Sequence, residues 1–119
     1  MTVKRIVTNI YSAEPARARA FYEDVLGLTM AMDKGWIVTF VSDSPERSAP
    51  QLSVASEGGS GTDLPDVSIE VDDVDAVLAR AIAGGFDILY GPVDEPWGVR
   101  RFFVRDPHGK VLNILSHSA

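Results

Sequence analysis

The sequence predicts an α+β protein made of two βαβββ modules in tandem, closing into a cup-shaped, barrel-like mixed sheet. Three observations point there. An order of strand, helix and three strands is read twice. A glycine-rich break falls midway, and the same letters return on both sides of it.

The first module opens with Arg5 to Ser12, where β-branched residues alternate as in a strand: Ile6, Thr8 and Ile10 on one face, Val7, Asn9 and Tyr11 on the other. Ser12-Ala13-Glu14-Pro15 starts a helix, with proline at its first turn. Ala18, Phe21, Tyr22 and Val25 recur at helical spacing up to about Leu26, and Gly27 ends the run. Leu28 to Met32 and Trp36 to Val41 read as strands joined by Asp33-Lys34-Gly35. A Ser/Pro-rich loop over 42–50 leads to a short strand, Gln51 to Ala55.

Glu57-Gly58-Gly59-Ser60-Gly61-Thr62 reads as a flexible linker. It joins strand to strand and no lysine follows it, so a phosphate-binding loop is not indicated. Beyond it, Asp66 to Val71 alternates, with Val67, Ile69 and Val71 apolar and Asp66, Ser68 and Glu70 opposite. Asp72 or Asp73 caps a helix carrying Val74, Val77, Leu78, Ala81 and Ile82, which Gly84-Gly85 stops. Phe86 to Tyr90, Val99 to Val104 and Lys110 to Leu115 are the last three strands. The chain therefore reads as one domain, with module one over 1–56, a linker over 57–63 and module two over 64–119.

The repeat is also literal. Gly35, Phe40, Val41 and Asp43 match Gly98, Phe103, Val104 and Asp106 at a constant offset of 63, Val7 and Ile10 fall opposite Asp66 and Ile69, and Pro50-Gln51-Leu52 falls opposite Leu112-Asn113-Ile114. A module of about 55 residues buries too little sheet to stand alone. Two can pack together within one chain, or exchange across a dimer.

Composition narrows the function. The net charge is −6, from 17 acidic and 11 basic residues, and no basic cluster offsets it, so a nucleic-acid partner is not expected. Without cysteine, thiolate metal sites and a cysteine nucleophile are excluded. No apolar run nears the roughly 20 residues of a membrane span, and no signal-like stretch opens the chain, so a cytoplasmic location is expected.

Ala20-Phe21-Tyr22-Glu23-Asp24-Val25-Leu26-Gly27-Leu28 matches an FYxxxLG helix end, and Phe103-Val104-Arg105-Asp106-Pro107-His108-Gly109 matches an F-x-x-D-P-x-G turn. With the duplication, these motifs resemble the vicinal oxygen chelate superfamily of glyoxalases, bleomycin-resistance proteins and extradiol dioxygenases, across nearly the whole chain. The resemblance implies a divalent metal held from four strand positions, which here read Val7, Gln51 (or Ser53), Asp66 and Asn113. Valine offers no donor, and two amides with one carboxylate would hold Mg²⁺ or Mn²⁺ poorly and Zn²⁺ worse. No cofactor is therefore expected.

Strand parity puts Asn9 and Tyr11, then Ser68 and Glu70, and Asn113, Leu115 and His117 on faces lining the cup. Trp36 is a further candidate, and Trp97, in the loop Gly91–Gly98, either stacks on a flat ligand or plugs the end of the sheet. One of Arg100 and Arg101 faces inward, to meet an anionic ligand or Asp66 or Glu70; parity leaves open which. His108 and Asp106 read as turn residues, and an ordered His117 would join Asp66 and Glu70 as a metal or acid–base set. The resulting expectation is a homodimeric protein that binds a small aromatic or polar molecule. The rivals are a metal-dependent lyase, isomerase or dioxygenase using Asp66 with substitute ligands, and a structural or regulatory dimer.

Overall fold

The computed structural model describes residues 2–43 and 50–117. The Ser/Pro-rich loop expected over 42–50 lies largely outside them. The chain forms two compact units, one spanning Val7–Leu64 and the other combining the start of the first strand, up to Ile6, with everything from Pro65 onward.

In the first unit, β1 (Val3–Tyr11) leads through a 3₁₀ turn (Pro15–Ala18) and α1 (Arg19–Tyr22) to β2 (Thr29–Asp33), β3 (Ile37–Val41) and β4 (Gln51–Ala55). The sheet order is β2-β3-β4-β1, with β1 and β4 parallel and the other pairs antiparallel. Val38, Phe40 and Val54 form its buried core, against which Ala18, Tyr22, Leu28, Met30 and Leu52 pack. The helix is shorter than its apolar spacing predicts. Only Ala18 and Tyr22 reach that core, whereas Phe21, Val25 and Leu26 are exposed. Packing stabilises a short helix more than propensity does. Past Tyr22 the Leu26 N–H reaches back to Phe21 O, five residues away, and the chain leaves helical geometry at Gly27, φ +70°.

The second unit contains β5 (Val67–Val71), α2 (Val74–Ala83), β6 (Ile88–Asp94), β7 (Val99–Arg105) and β8 (Val111–His117), in the order β5-β8-β7-β6. Each unit is thus a βαβββ module with the same strand order, as the repeat predicts. Asp73 caps α2 by accepting the Ala76 N–H at 3.1 Å. Val71, Val74, Phe102, Val104 and Ile114 make the core under α2. Among the described residues, no helix is long and apolar enough to cross a membrane.

The stretch expected as a flexible linker, Glu57–Thr62, carries turn hydrogen bonds: Gly58 N–H bonds Thr62 O at 2.8 Å, Thr62 N–H bonds Gly59 O, and the Thr62 hydroxyl donates to the same Gly59 O at 2.7 Å. A Cβ on Gly58 would lie 2.3 Å from Thr62 Oγ1, so the glycine serves close packing. The first half of the expected irregular loop Gly91–Gly98 is strand. β6 runs to Asp94 with register shifts between Ile88 and Tyr90 and again between Tyr90 and Val93. Gly91 allows this, since a Cβ there would sit 2.6 Å from Arg101 O. The turn itself closes with Glu95 N–H to Val99 O at 2.7 Å.

The offset of 63 is also one residue out of register in the third strand of each module. Phe40 pairs with Leu52 and Val104 with Leu112, while Thr39 pairs with Ser53 and Phe103 with Asn113. Structurally Phe40 therefore corresponds to Val104, and Phe103 to Thr39. One residue of slip exchanges the two faces of a strand. The stretch from the turn glycine to the core is one residue longer in the second unit, so the matching letters track glycines and not faces. The same ladders equate Asn113 with Ser53, because Asn9 pairs with Ser53 and Ser68 with Asn113. Gln51 stands opposite Val41, as Val111 does opposite Arg105.

Candidate functional site

In the second unit α2 covers one face of the sheet, and the other face gathers the chemistry. Ser68 and Asn113 are partners in the β5–β8 ladder, and Asn113 Nδ2 donates to Ser68 Oγ at 3.1 Å. Asn113 is only 9% exposed, and its Oδ1 has no hydrogen-bond partner among the described residues. Buried amide oxygens nearly always accept a bond, so this one marks an open acceptor.

Two residues along β5, Glu70 is held from both sides. Arg5 Nε lies 3.0 Å from Oε1, and His117 Nδ1 lies 2.8 Å from Oε2. Burial pushes the Glu70 carboxyl up, but the His117 hydrogen bond and the Arg5 charge outweigh it and hold the group below its ordinary range. Sequence parity brought Glu70 and His117 onto one face. It did not include Arg5, whose place depends on the start of β1 belonging to this unit.

The two arginines separate cleanly. Arg101 lies on this same face, with its guanidinium Nη2 2.5 Å from Glu95 Oε2 and both side chains almost wholly buried. Tyr90 Oη donates to the same Glu95 oxygen at 3.1 Å. The rings of Tyr90, Trp97 and Phe103 surround the guanidinium at 5.3, 5.0 and 4.8 Å from their centroids. Trp97 thus packs on Arg101 at the β6–β7 turn. Glu95 was not among the candidates, and only the bulged course of β6 brings it there. Arg100 lies on the α2 side, where the Asp75 hydrogen bond first, opposed by desolvation, and then Asp94 hold its pKa above the ordinary value.

Candidates in the first unit are placed separately. Thr39 Oγ1 and Ser53 Oγ are 2.7 Å apart and buried. Asn9, Gln51 and Trp36 are half-buried. Tyr11 is exposed beside a cleft of about 480 Å³ lined by Ile10, Glu14, Arg17 and Tyr22 among others.

The four positions implied for a metal do not fit one. Val7 is a buried aliphatic side chain. Asp66, the one carboxylate, accepts the Val111 N–H through Oδ2 at 2.8 Å as β8 begins. Gln51 and Asn113 are neutral amides, and Ser53, the residue the ladders equate with Asn113, is a buried hydroxyl bonded to Thr39. Among the described residues, no group of three or more His, Cys, Asp or Glu is placed to hold a metal ion. His108 and Asp106 are turn residues, Asp106 Oδ1 accepting the His108 and Lys110 N–H groups at 2.8 and 2.9 Å.

A duplicated βαβββ unit with a polar, helix-free face defines a class of protein, and sequence comparison gives its name. The chain belongs to the Glyoxalase/Bleomycin resistance protein/Dioxygenase superfamily, whose family model matches residues 4–114. It is 30% identical, over 92% of its length, to CFP32 of Mycobacterium bovis and Mycobacterium tuberculosis, proteins provisionally named glyoxylase; it spans 42% of the length of those relatives. Among solved structures, a Legionella pneumophila protein described as an NAD-dependent benzaldehyde dehydrogenase superposes with a TM-score of 0.75 at 17% identity, covering 96% of this chain and 100% of that one. A variant of methylmalonyl-CoA epimerase from Streptomyces coelicolor, in complex with 2-nitronate-propionyl-CoA, gives 0.72 at 18% identity, covering 99% and 97%. At these identities the structural likeness speaks for fold alone.

Proposed function

We propose that the chain binds a small polar or aromatic molecule on the helix-free face of its second unit, without a divalent metal. One observation carries this: the buried Oδ1 of Asn113, which has no hydrogen-bond partner among the described residues and which a ligand N–H or O–H would satisfy. Ser68 beside it adds a hydroxyl, and Phe103, the partner of Asn113 across the β7–β8 ladder, adds an apolar neighbour. The donor chemistry at Val7, Gln51, Asp66 and Asn113 supports a ligand held by hydrogen bonds and ring contacts in place of chelation.

Elemental analysis of protein purified without chelator, followed by a tryptophan-fluorescence screen of aromatic ligands, tests the proposal. It predicts substoichiometric metal and a quench that Asn113→Leu abolishes. A stoichiometric bound metal, or an unchanged quench in the variant, would overturn it.

A further inference from the structure

We infer that Arg5, Glu70 and His117 form a proton-transfer site, with His117 Nε2 as the working atom. The inference goes beyond ligand binding and stands whether or not Asn113 receives a ligand.

Three strands bring the groups together: Arg5 from β1, Glu70 from β5 and His117 from the end of β8. Each Glu70 oxygen has its own cationic or N–H neighbour, at 3.0 Å from Arg5 Nε and 2.8 Å from His117 Nδ1. An ionised carboxylate only accepts hydrogen bonds, so Nδ1 must carry the hydrogen. In the neutral ring the lone pair then lies on Nε2, and that nitrogen has no partner among the described residues. The carboxylate is mostly buried, with its side chain 16% exposed, whereas the imidazole is 53% exposed. The anchor is thus shielded and the basic nitrogen reachable.

The chemistry follows from this polarity. Nε2 takes the proton from an acidic O–H or activated C–H of a bound solute, and the electron pair of that bond stays on the solute as its anion. The ring becomes an imidazolium whose charge Glu70 meets, and return of the proton restores both partners. No electron is transferred to or from the protein. Lys4 adds a further charge that favours ionised Glu70. Arg5 keeps Glu70 ionised, so the dyad does not collapse into a neutral carboxylic acid. In this scheme Glu70 and Arg5 are positioning residues, and only His117 touches the solute.

The probe is 5-nitrobenzisoxazole, a flat molecule whose ring C–H is removed by a base as its N–O bond breaks to give a nitrile and a phenolate. Wild-type protein should accelerate this opening above buffer, and His117→Ala should lower the protein-dependent rate at least about tenfold. Glu70→Gln should reduce the share of the Nδ1–H tautomer of His117 in ¹⁵N NMR, because the carboxylate that accepts from Nδ1 is gone. Equal rates in wild type and His117→Ala, or an unchanged tautomer balance in Glu70→Gln, would overturn the inference. ¹⁵N NMR of the unaltered protein tests the pairing without any variant. It should show His117 protonated on Nδ1 in its neutral form, and protonation on Nε2 would equally overturn the scheme.

Discussion

Arg101 and Glu95 form an ion pair with a 2.5 Å N–O contact, both side chains nearly sealed from water, inside a ring made by Tyr90, Trp97 and Phe103. A buried pair of this kind is a poor source of net stability but a costly thing to break, because the remaining charge cannot reach water. Glu95→Ala should therefore destabilise the protein by about 3–5 kcal/mol, while the double change Glu95→Leu with Arg101→Met should recover most of that loss. Urea denaturation of the three proteins checks this. A loss below about 1 kcal/mol in Glu95→Ala would mean that the pair is hydrated and surface-like.

The ordered turn at Glu57–Thr62 makes a second prediction. Gly58→Ala forces a Cβ to 2.3 Å from Thr62 Oγ1 and 2.4 Å from Asp63 O, and overpacking of that kind costs about 1–3 kcal/mol. Gly61→Ala meets no atom but holds φ +76°, so its cost should be the smaller strain of about 1–2 kcal/mol. Thermal denaturation should show both losses. A flexible linker would show neither.

The βαβββ order was legible because hydrophobic periodicity and the glycine stops are local signals: Val67, Ile69 and Val71 name their face without help from the rest of the chain. Alternation alone also required Arg100 and Arg101 to point apart. Which of them faces α2 depends on the register of β7 against β8, and the letters mislead there, since Phe40 aligns with Phe103 while the ladders equate it with Val104. Glu95 was invisible as a partner for Arg101 because two register shifts in β6 set its position. The first helix was overestimated for a related reason. Its spacing shows an apolar stripe, but only contact with the sheet decides that Tyr22 packs and Phe21 does not.

Acid should expose the role of Asp106. Its carboxyl is held below the ordinary value of 3.8 mainly by the Lys110 N–H, partly opposed by desolvation, with the His108 N–H adding to the lowering. A depressed folded pKa stabilises the native state above the unfolded value, and that contribution disappears as pH falls through the folded one. Wild type should thus be more stable than Asp106→Asn at pH 7, and the gap should close below about pH 4. Chemical denaturation at a series of pH values measures the gap. One that is constant down to pH 2 would show that the ionised form has no special place in this turn.

The central claim, a ligand site around the open acceptor of Asn113, is tested most directly by ¹H–¹⁵N NMR of the labelled protein titrated with a library of small aromatic amides and phenols. The Asn113 side-chain NH₂ signals and the Ser68 and Phe103 amides should shift together on binding, and Asn113→Leu should lose the response while keeping its fold. Binding that shifts only residues on the α2 side, or survives unchanged in Asn113→Leu, would contradict the account.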